Sequence, residues 1–264
     1  MIFVGTAGWN VPRAVAAAFP AEGAHLERYA QRMQCVEIDT SFYREHRFET
    51  YARWALETPP AFRFAVKLPR SSTHERKLRR ARAPLEAFLA QVAGLGAKLG
   101  VLLVQLPPSL EFEARVAHRF FALMNELHAD HTSAIVCEPR HPSWFTASAD
   151  RLLAAYRIGR VAADPIPRSV ARSSDHEAAA RPGGWLGLDA RGTGATIYYR
   201  WHGSPRVYWS AYSPDWLEHQ AACMRAWSLA ADCWCIFDNT AAGAALDNAL
   251  AFDAMRKAHD SMCE

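Results

Sequence analysis

The chain has 264 residues, of which half are apolar and 22% are charged, so it can form one large or two small α/β domains with a buried core. Its formal net charge of +3 is too small to indicate a nucleic-acid partner by itself. No apolar segment approaches the roughly 20 residues that span a bilayer, and no basic segment followed by an apolar one opens the chain, so neither a membrane segment nor a secretory signal is expected.

Predicted strands and helices alternate along the chain. Short segments rich in valine, isoleucine and aromatic residues are typical of strands that are covered by helices. Eight such strands are predicted, at residues 2–6, 35–39, 62–68, 100–106, 133–139, 159–164, 196–201 and 233–239. Apolar residues at helical spacing predict helices at residues 25–34, 84–99, 111–128, 148–157, 213–230 and 241–257.

The repeated alternation predicts a single domain over residues 1–264 that folds as a TIM-like β/α barrel. An open, doubly wound sheet is the structural alternative. Two segments interrupt the pattern and are predicted to be loops. Residues 40–50 are rich in aromatic and charged residues, whereas residues 165–194 contain three prolines and five glycines and would replace or interrupt the sixth helix.

Polar side chains are concentrated at the carboxyl ends of the predicted strands. Residues two apart on a strand share a face, so Glu138 and Arg140, or Arg200 and His202, project together. In a barrel such residues converge at one mouth, and buried charges of both signs are expected to pair there. The strand-end residues are Glu37, Asp39, Lys67, Gln105, Glu138, Arg140, Asp164, Arg200, His202, Asp238 and Asn239. The alternative interpretation is that each one only forms a structural ion pair.

Aromatic residues are frequent in the loops after the strands, where many of them will only pack the loops. Together with the cations they predict a site for a flat or ring-shaped anionic ligand, such as a sugar phosphate, a nucleotide or a short single strand. The candidate substrate-binding residues are Trp9, Tyr43, His74, Gln105, Arg140, Arg200 and Asn239.

The preferred functional hypothesis is an enzyme, a hydrolase or an isomerase, that acts by acid–base chemistry on a small anionic substrate. Glu37 or Glu138 would be the base, and a nearby cation would stabilise developing negative charge. Lys67 is alternatively a candidate for Schiff-base formation. The candidate catalytic residues are Glu37, Lys67, Glu138, His141, Asp164 and His202.

Two other functions stay open. A metal-dependent phosphodiesterase or nuclease would use acid and histidine ligands, but the nearby cations would repel a metal ion and no HxH or HExxH motif is present. No cofactor or resident metal is therefore expected, although a divalent ion stays an alternative. A non-catalytic module for nucleotides or nucleic acid would use the basic segment 70–82. The six cysteines are scattered without paired CxxC motifs, which favours a reduced, cytoplasmic setting.

Seven segments, taken in order, resemble the YecE-like family, also called domain of unknown function 72. They are residues 5–9 (GTAGW), 36–44 (VEIDTSFYR), 62–75 (FRFAVKLP and THE), 99–109 (LGVLLVQLPPS), 138–144 (EPRHPSW), 198–213 (YYRWHGSPRVYWSAYS) and 237–249 (FDNTAAGAALDNA). The resemblance covers almost the whole chain and implies a TIM-like barrel. It implies no particular reaction, so no catalytic residue is carried over from it.

Overall fold

A computed structural model describes residues 1–129, 132–172, 176–187 and 195–260 of the chain. These residues form ten strands and eight α-helices, joined by short 3-10 turns and one π-helical turn at Ser71–Glu75. The strands are β1 (Ile2–Thr6), β2 (Cys35–Ile38), β3 (Arg63–Lys67), β4 (Leu99–Gln105), β5 (Ala134–Glu138), β6 (Gly159–Arg160), β7 (Ala162–Asp164), β8 (Gly183–Gly184), β9 (Ala195–Trp201) and β10 (Ala231–Phe237). The helices are α1 (His25–Ala30), α2 (Phe48–Leu56), α3 (Arg82–Val92), α4 (Ala114–Leu127), α5 (Ala147–Ala155), α6 (His176–Ala179), α7 (Pro214–Ser228) and α8 (Ala244–Asp260).

The strands form two predominantly parallel sheets, with the orders β1-β10-β9-β7 and β2-β3-β4-β5-β6-β8. The pairing of β6 with β8 is antiparallel, and the other strand pairs are parallel. The mixed α/β class with parallel sheets is therefore confirmed. The strand pairing does not show a closed barrel, which stays a prediction, as does the single domain.

The two sheets approach each other at two places. Beyond β1, Ala7 forms an isolated parallel bridge with Glu37 of β2, and the Gly8 amide donates to the Glu37 carbonyl at 2.9 Å. On the other side, only Val161 separates β6, which pairs with β5, from β7, which pairs with β9. Both sheets also contribute to one buried apolar cluster, with Val101 and Leu103 from one sheet and Trp234 from the other.

The predicted strands are all present, but the sixth is divided at Val161 because its two halves pair with different neighbours. The prediction of a loop over residues 40–50 is wrong at its end, since α2 begins at Phe48 and buries Tyr51 and Trp54 on one face. Residues 165–172 and 176–187 contain only the four-residue helix α6 and the short strand β8, which agrees with a long, irregular connection. Residues 173–175 and 188–194 of this predicted loop lie outside the described residues.

The polar side chains at the carboxyl ends of the strands follow the apolar residues of the same strands. On β2, Val36 and Ile38 belong to the larger apolar cluster, whereas Cys35 belongs to the cluster that both sheets share. The alternation of side chains along the strand therefore places Glu37 on the same face as Cys35.

Within the described part of the chain, no helix combines the length and the apolar character needed to cross a membrane.

Candidate functional site

Arg200 is the centre of a buried ionic cluster that joins the carboxyl ends of four strands. Its Nε and Nη2 atoms donate to the two carboxylate oxygens of Glu37 at 3.1 and 2.7 Å. Nη1 donates to Glu138 Oε2 at 2.7 Å, and Nη2 also contacts Asp238 Oδ2 at 3.0 Å. All four side chains are buried. Since a buried charge is tolerated when it is paired and hydrogen-bonded, this fork of short contacts explains how the chain holds four ionisable groups in its interior.

Glu37 has no free acceptor position toward solvent. Besides the two contacts with Arg200, its Oε2 accepts a hydrogen bond from the Tyr198 hydroxyl at 2.8 Å, and the residue is 0% exposed. Burial raises the pKa of Glu37, because desolvation and the nearby charges of Asp39 and Asp238 outweigh the contact with Arg200. Glu37, the predicted base, is therefore enclosed by Arg200 and Tyr198. Its carboxylate positions the Arg200 guanidinium.

Glu138 lies at the meeting point of three cationic side chains. Arg140 Nε donates to Glu138 Oε1 at 2.9 Å, opposite the contact from Arg200, and His202 Nε2 lies 3.5 Å from the same Oε1. Burial disfavours the carboxylate, but Arg140, Arg200 and His202 together outweigh it and hold the pKa of Glu138 well below its usual range. Glu138 therefore stays ionised, and both of its oxygens are occupied by these cations.

His202 follows β9 directly and is held by two carboxylates. Its Nδ1 lies 2.9 Å from Asp238 Oδ2, and its backbone N–H donates to the Asp164 carbonyl at 2.6 Å. Burial favours the neutral ring, but the contacts with Asp238 and Glu138 outweigh it and raise the pKa of His202 above its ordinary value. His202 thus carries a proton more readily than a free imidazole does, which suits a general acid.

A second histidine, His74, is arranged to stay neutral. Its Nδ1 lies 2.9 Å from Thr73 Oγ1, and its Nε2 lies 3.5 Å from the Gln105 amide nitrogen, which can only donate. Nε2 is therefore the acceptor and Nδ1 carries the proton. Burial, together with the charges of Lys67 and Arg140, lowers the pKa of His74 to about 4.

Lys67 and Arg140 are the cations at the edge of the cluster. Lys67 Nζ lies 3.5 Å from Asp39 Oδ1 and 4.4 Å above the Phe42 ring, which also packs edge-on against His74. The Arg140 side chain keeps 21% exposure, although both Nε and Nη2 contact Glu138 Oε1. The Lys67 side chain is only 7% exposed, so Arg140 is the more accessible of the two cations.

The remaining predicted residues lie around this core or apart from it. Asp164 accepts a hydrogen bond from the Tyr212 hydroxyl at 2.8 Å, and burial raises its pKa. Asn239 is buried and donates to the Ser210 carbonyl and to Asn248, so it fixes the loop after β9.

His141, Tyr43 and Trp9 do not join the ionic cluster. The His141 ring accepts from the Ser143 amide and caps the short helix Pro142–Trp144, which is a structural role. Tyr43 is exposed on the surface, and Trp9 packs edge-on against Trp54.

The cluster also contains three residues that are not among the candidate catalytic and substrate-binding residues, namely Tyr198, Asp238 and Asp39. Tyr198 stands two residues before Arg200 on the same strand face, and this alternation is the signal that would have found it. Asp238 ends the last strand, as the other chosen residues end theirs, and it contacts both Arg200 and His202.

The comparison with known protein families covers almost the whole chain. Residues 3–263 match the family model described as protein of unknown function DUF72. The chain belongs to the DUF72 family. This confirms the resemblance that the seven sequence segments carry.

Related DUF72 proteins are known from several bacteria. The protein YecE of Escherichia coli K12 is 28% identical over 177 residues, which are 65% of this chain and 62% of that protein. The protein YunF of Bacillus subtilis is 31% identical over 114 residues, which are 41% of this chain and 40% of that protein. The alignments therefore span less than two thirds of the length of these relatives.

Two crystal structures of DUF72 proteins have a similar fold. The protein of Enterococcus faecalis superposes with a TM-score of 0.75 at 19% identity, over 97% of this chain and 96% of the other. The protein of Thermotoga maritima superposes with a TM-score of 0.73 at 22% identity, over 97% of this chain and 99% of the other. At these identities the likeness concerns the fold alone.

The carboxylates of this DUF72 protein do not form a free ligand set for a metal ion. In the described ranges, no group of three or more His, Cys, Asp or Glu side chains is arranged to hold one. Glu37, Glu138 and Asp238 come closest, but the Arg200 guanidinium lies between them, where a divalent cation would have to bind. These three carboxylates therefore do not fit a metal centre.

Two cavities lie near the strand ends. One of about 460 Å³ is bordered by the loops that follow β1, β2 and β10, and it touches Asp39. A larger one of about 710 Å³ lies at the opposite, amino-terminal ends of the strands, where Gly100, Gly159 and Thr196 border it. The larger cavity meets none of the candidate residues.

The charge state of His202 predicts a pH-dependent stability. Because its folded pKa is raised, the stability that it adds is fully present below its unfolded pKa of about 6.5 and is lost as the pH rises through the folded value. We expect His202→Gln to lower the free energy of unfolding more at pH 6 than at pH 9, measured by urea denaturation. His141→Gln is the control, since His141 contacts the neutral Ser143. An equal loss for His202→Gln at both pH values would contradict the assignment.

Proposed function

We propose that this DUF72 protein is an enzyme that binds a small anionic, ring-containing substrate at the carboxyl ends of its strands and acts on it by acid–base chemistry. The observation that supports the proposal is that two histidines, His74 and His202, have pKa values shifted in opposite directions, and that two cations lie beside His74. His74 is neutral and His202 favours its protonated form, while Lys67 and Arg140 are close enough to lower the pKa of His74. An acid and a base whose pKa values are pushed apart are the arrangement that such chemistry needs.

The roles follow from the contacts. Lys67 and Arg140 bind the anionic group. His74 Nε2 accepts a proton from the substrate, and His202, oriented by Asp238, donates one. Arg200 holds Glu138 and Asp238 in place, and Glu37, which accepts a hydrogen bond from Tyr198, in turn holds Arg200.

We further propose that the two sheets close into an eight-stranded, TIM-like barrel. The bridge between Ala7 and Glu37 joins one pair of edges, and the single residue between β6 and β7 joins the other. Closure would bring every strand end to one mouth and would make the chain a single domain.

The five described cysteines are unpaired, which supports a reducing, cytoplasmic setting.

The basic segment 70–82 gives less support to a nucleic-acid module. Arg70, Arg79 and Arg82 form ion pairs with Glu75, Glu113 and Glu126. Much of its positive charge is therefore already compensated on the surface.

The test is phosphate binding, measured by isothermal titration calorimetry with inorganic phosphate. We expect Lys67→Met and Arg140→Met each to weaken binding about tenfold, because a hydrogen bond to a charged group contributes about 1.5–3 kcal/mol. Arg79→Met is the matched control, because Arg79 is an exposed arginine paired with Glu113 away from the cluster. The proposal fails if the wild-type protein does not bind phosphate, or if the control weakens binding as much as the two test variants do.

A further inference from the structure

None of the acid–base residues lines the cavity of about 460 Å³, but Asp39, which contacts Lys67, does. Its walls are mainly apolar, and its volume lies within the roughly 300–1,000 Å³ of small-molecule sites. The residues that form these walls include Trp9, Pro12, Ile38 and Leu246. Such walls fit the apolar faces of a ring rather than a phosphate group.

Asp39 is the carboxylate that faces this cavity, and it is the least satisfied member of the ionic cluster. Its contacts with Lys67 Nζ and Arg200 Nη2 measure 3.5 and 3.6 Å, whereas Glu37 and Glu138 each have a contact of 2.7 Å with Arg200. Charge-assisted hydrogen bonds between nitrogen and a carboxylate are typically about 2.7–2.9 Å long. The oxygen near Lys67, Oδ1, is itself buried, but the side chain keeps 29% exposure and its Oδ2 has only the long contact with Arg200. Asp39 therefore has acceptor capacity left for a ligand.

The same residue connects the cavity to the anion site. Asp39 lies on the wall of the cavity and at the same time 3.5 Å from Lys67. A ligand whose anionic group contacts Lys67 would thus place its ring in the cavity with one edge at Asp39.

We propose that this cavity is the specificity pocket for the ring of the substrate, and that Asp39 recognises a hydrogen-bond donor, a hydroxyl or an amino group, on the ring. The inference rests on the proposed function, since it takes Lys67 as the anion site. The donor could belong to a sugar or to a nucleobase, and different probes separate the two sources.

The experiment compares the affinities of four probes by calorimetry: inorganic phosphate, glucose 6-phosphate, cyclohexylmethyl phosphate and adenosine 5′-monophosphate. Cyclohexylmethyl phosphate has a ring and a phosphate but no donor. We expect at least one donor-bearing probe to bind about tenfold tighter than cyclohexylmethyl phosphate, as one hydrogen bond to a charged acceptor would give. Preference for glucose 6-phosphate indicates a sugar, and preference for adenosine monophosphate indicates a base if ribose 5-phosphate, which carries the same ribose, does not share it.

Two variants locate the effect. Asp39→Leu should abolish the preference for the donor-bearing probe and leave the affinity for inorganic phosphate equal or higher, because a negative charge beside Lys67 is removed. Trp9→Ala should weaken the binding of all three ring-bearing probes without changing phosphate binding, with melting temperatures confirming that each variant is folded.

The outcomes separate the two proposals. If wild-type protein binds phosphate but shows no preference among the ring probes, or if Asp39→Leu keeps the preference, the pocket assignment is overturned and the anion site stands. If phosphate does not bind at all, the proposed function itself fails.

Discussion

Arg200→Met is expected to lower the free energy of unfolding by about 3–5 kcal/mol, because removing one partner leaves buried charges uncompensated. Arg200 contacts Glu37, Glu138 and Asp238, and all of these side chains are buried. Methionine preserves much of the length of the side chain but supplies no donor. Chemical denaturation at pH 8 measures the effect.

Acid should partly rescue this variant. Without Arg200, the folded pKa of Glu37, already raised by burial, rises further above its unfolded value of about 4.3. A group of this kind adds stability below its unfolded pKa and loses it as the pH rises through the folded value, so the deficit should be smaller at pH 5 than at pH 8.

Arg140→Met is the matched control for Arg200→Met. Arg140 contacts only Glu138 among these carboxylates and is partly exposed, so its loss should cost clearly less. Equal losses for the two variants would contradict the central position of Arg200.

Gly5→Ala is expected to destabilise the protein by about 3 kcal/mol or more, since it forces apart two strands of different sheets. A Cβ at Gly5 of β1 would collide with the carbonyl group of Cys35 on β2 and lie 2.8 Å from its carbon. Overpacking usually costs about 1–3 kcal/mol, and a backbone atom cannot move aside as a side chain does. Thermal and urea denaturation measure the loss.

Gly96→Ala provides the comparison for this second prediction. Gly96 has a φ of 54° and a ψ of −135°, a conformation that disfavours residues with a Cβ, but nothing lies within 4 Å of the added Cβ, so backbone strain of about 1–3 kcal/mol without a steric collision is expected. If Gly5→Ala is tolerated as well as Gly96→Ala, β1 and β2 do not approach each other as described, and the proposed closure of the sheets loses its support.

The strand positions and the strand-end residues could be predicted from the sequence because they depend on local patterns. Alternation along β9 places Tyr198, Arg200 and His202 on one side, and the apolar runs mark where each strand begins and ends. The helix α2 was missed because aromatic residues dominate the segment before it, although Tyr51 and Trp54 already have helical spacing.

The pairing within the site could not be predicted, because it depends on contacts between distant strands. Glu37 and Glu138 are equivalent in sequence pattern, yet Glu37 is enclosed by Arg200 and Tyr198, while Glu138 is shared by Arg140 and Arg200. His141 follows a strand as His202 does, but the turn after β5 directs it to Ser143. Residue type and strand position alone do not distinguish such partners.

The central claim is that strand ends of both sheets meet around Arg200 and leave Lys67 and Arg140 to bind an anion. A crystal structure of the wild-type protein soaked in phosphate tests it most directly. The account predicts phosphate within hydrogen-bonding distance of Lys67 Nζ and Arg140, with Arg200 still bound to Glu37 and Glu138. Phosphate bound only elsewhere, or an Arg200 separated from these carboxylates, would contradict it.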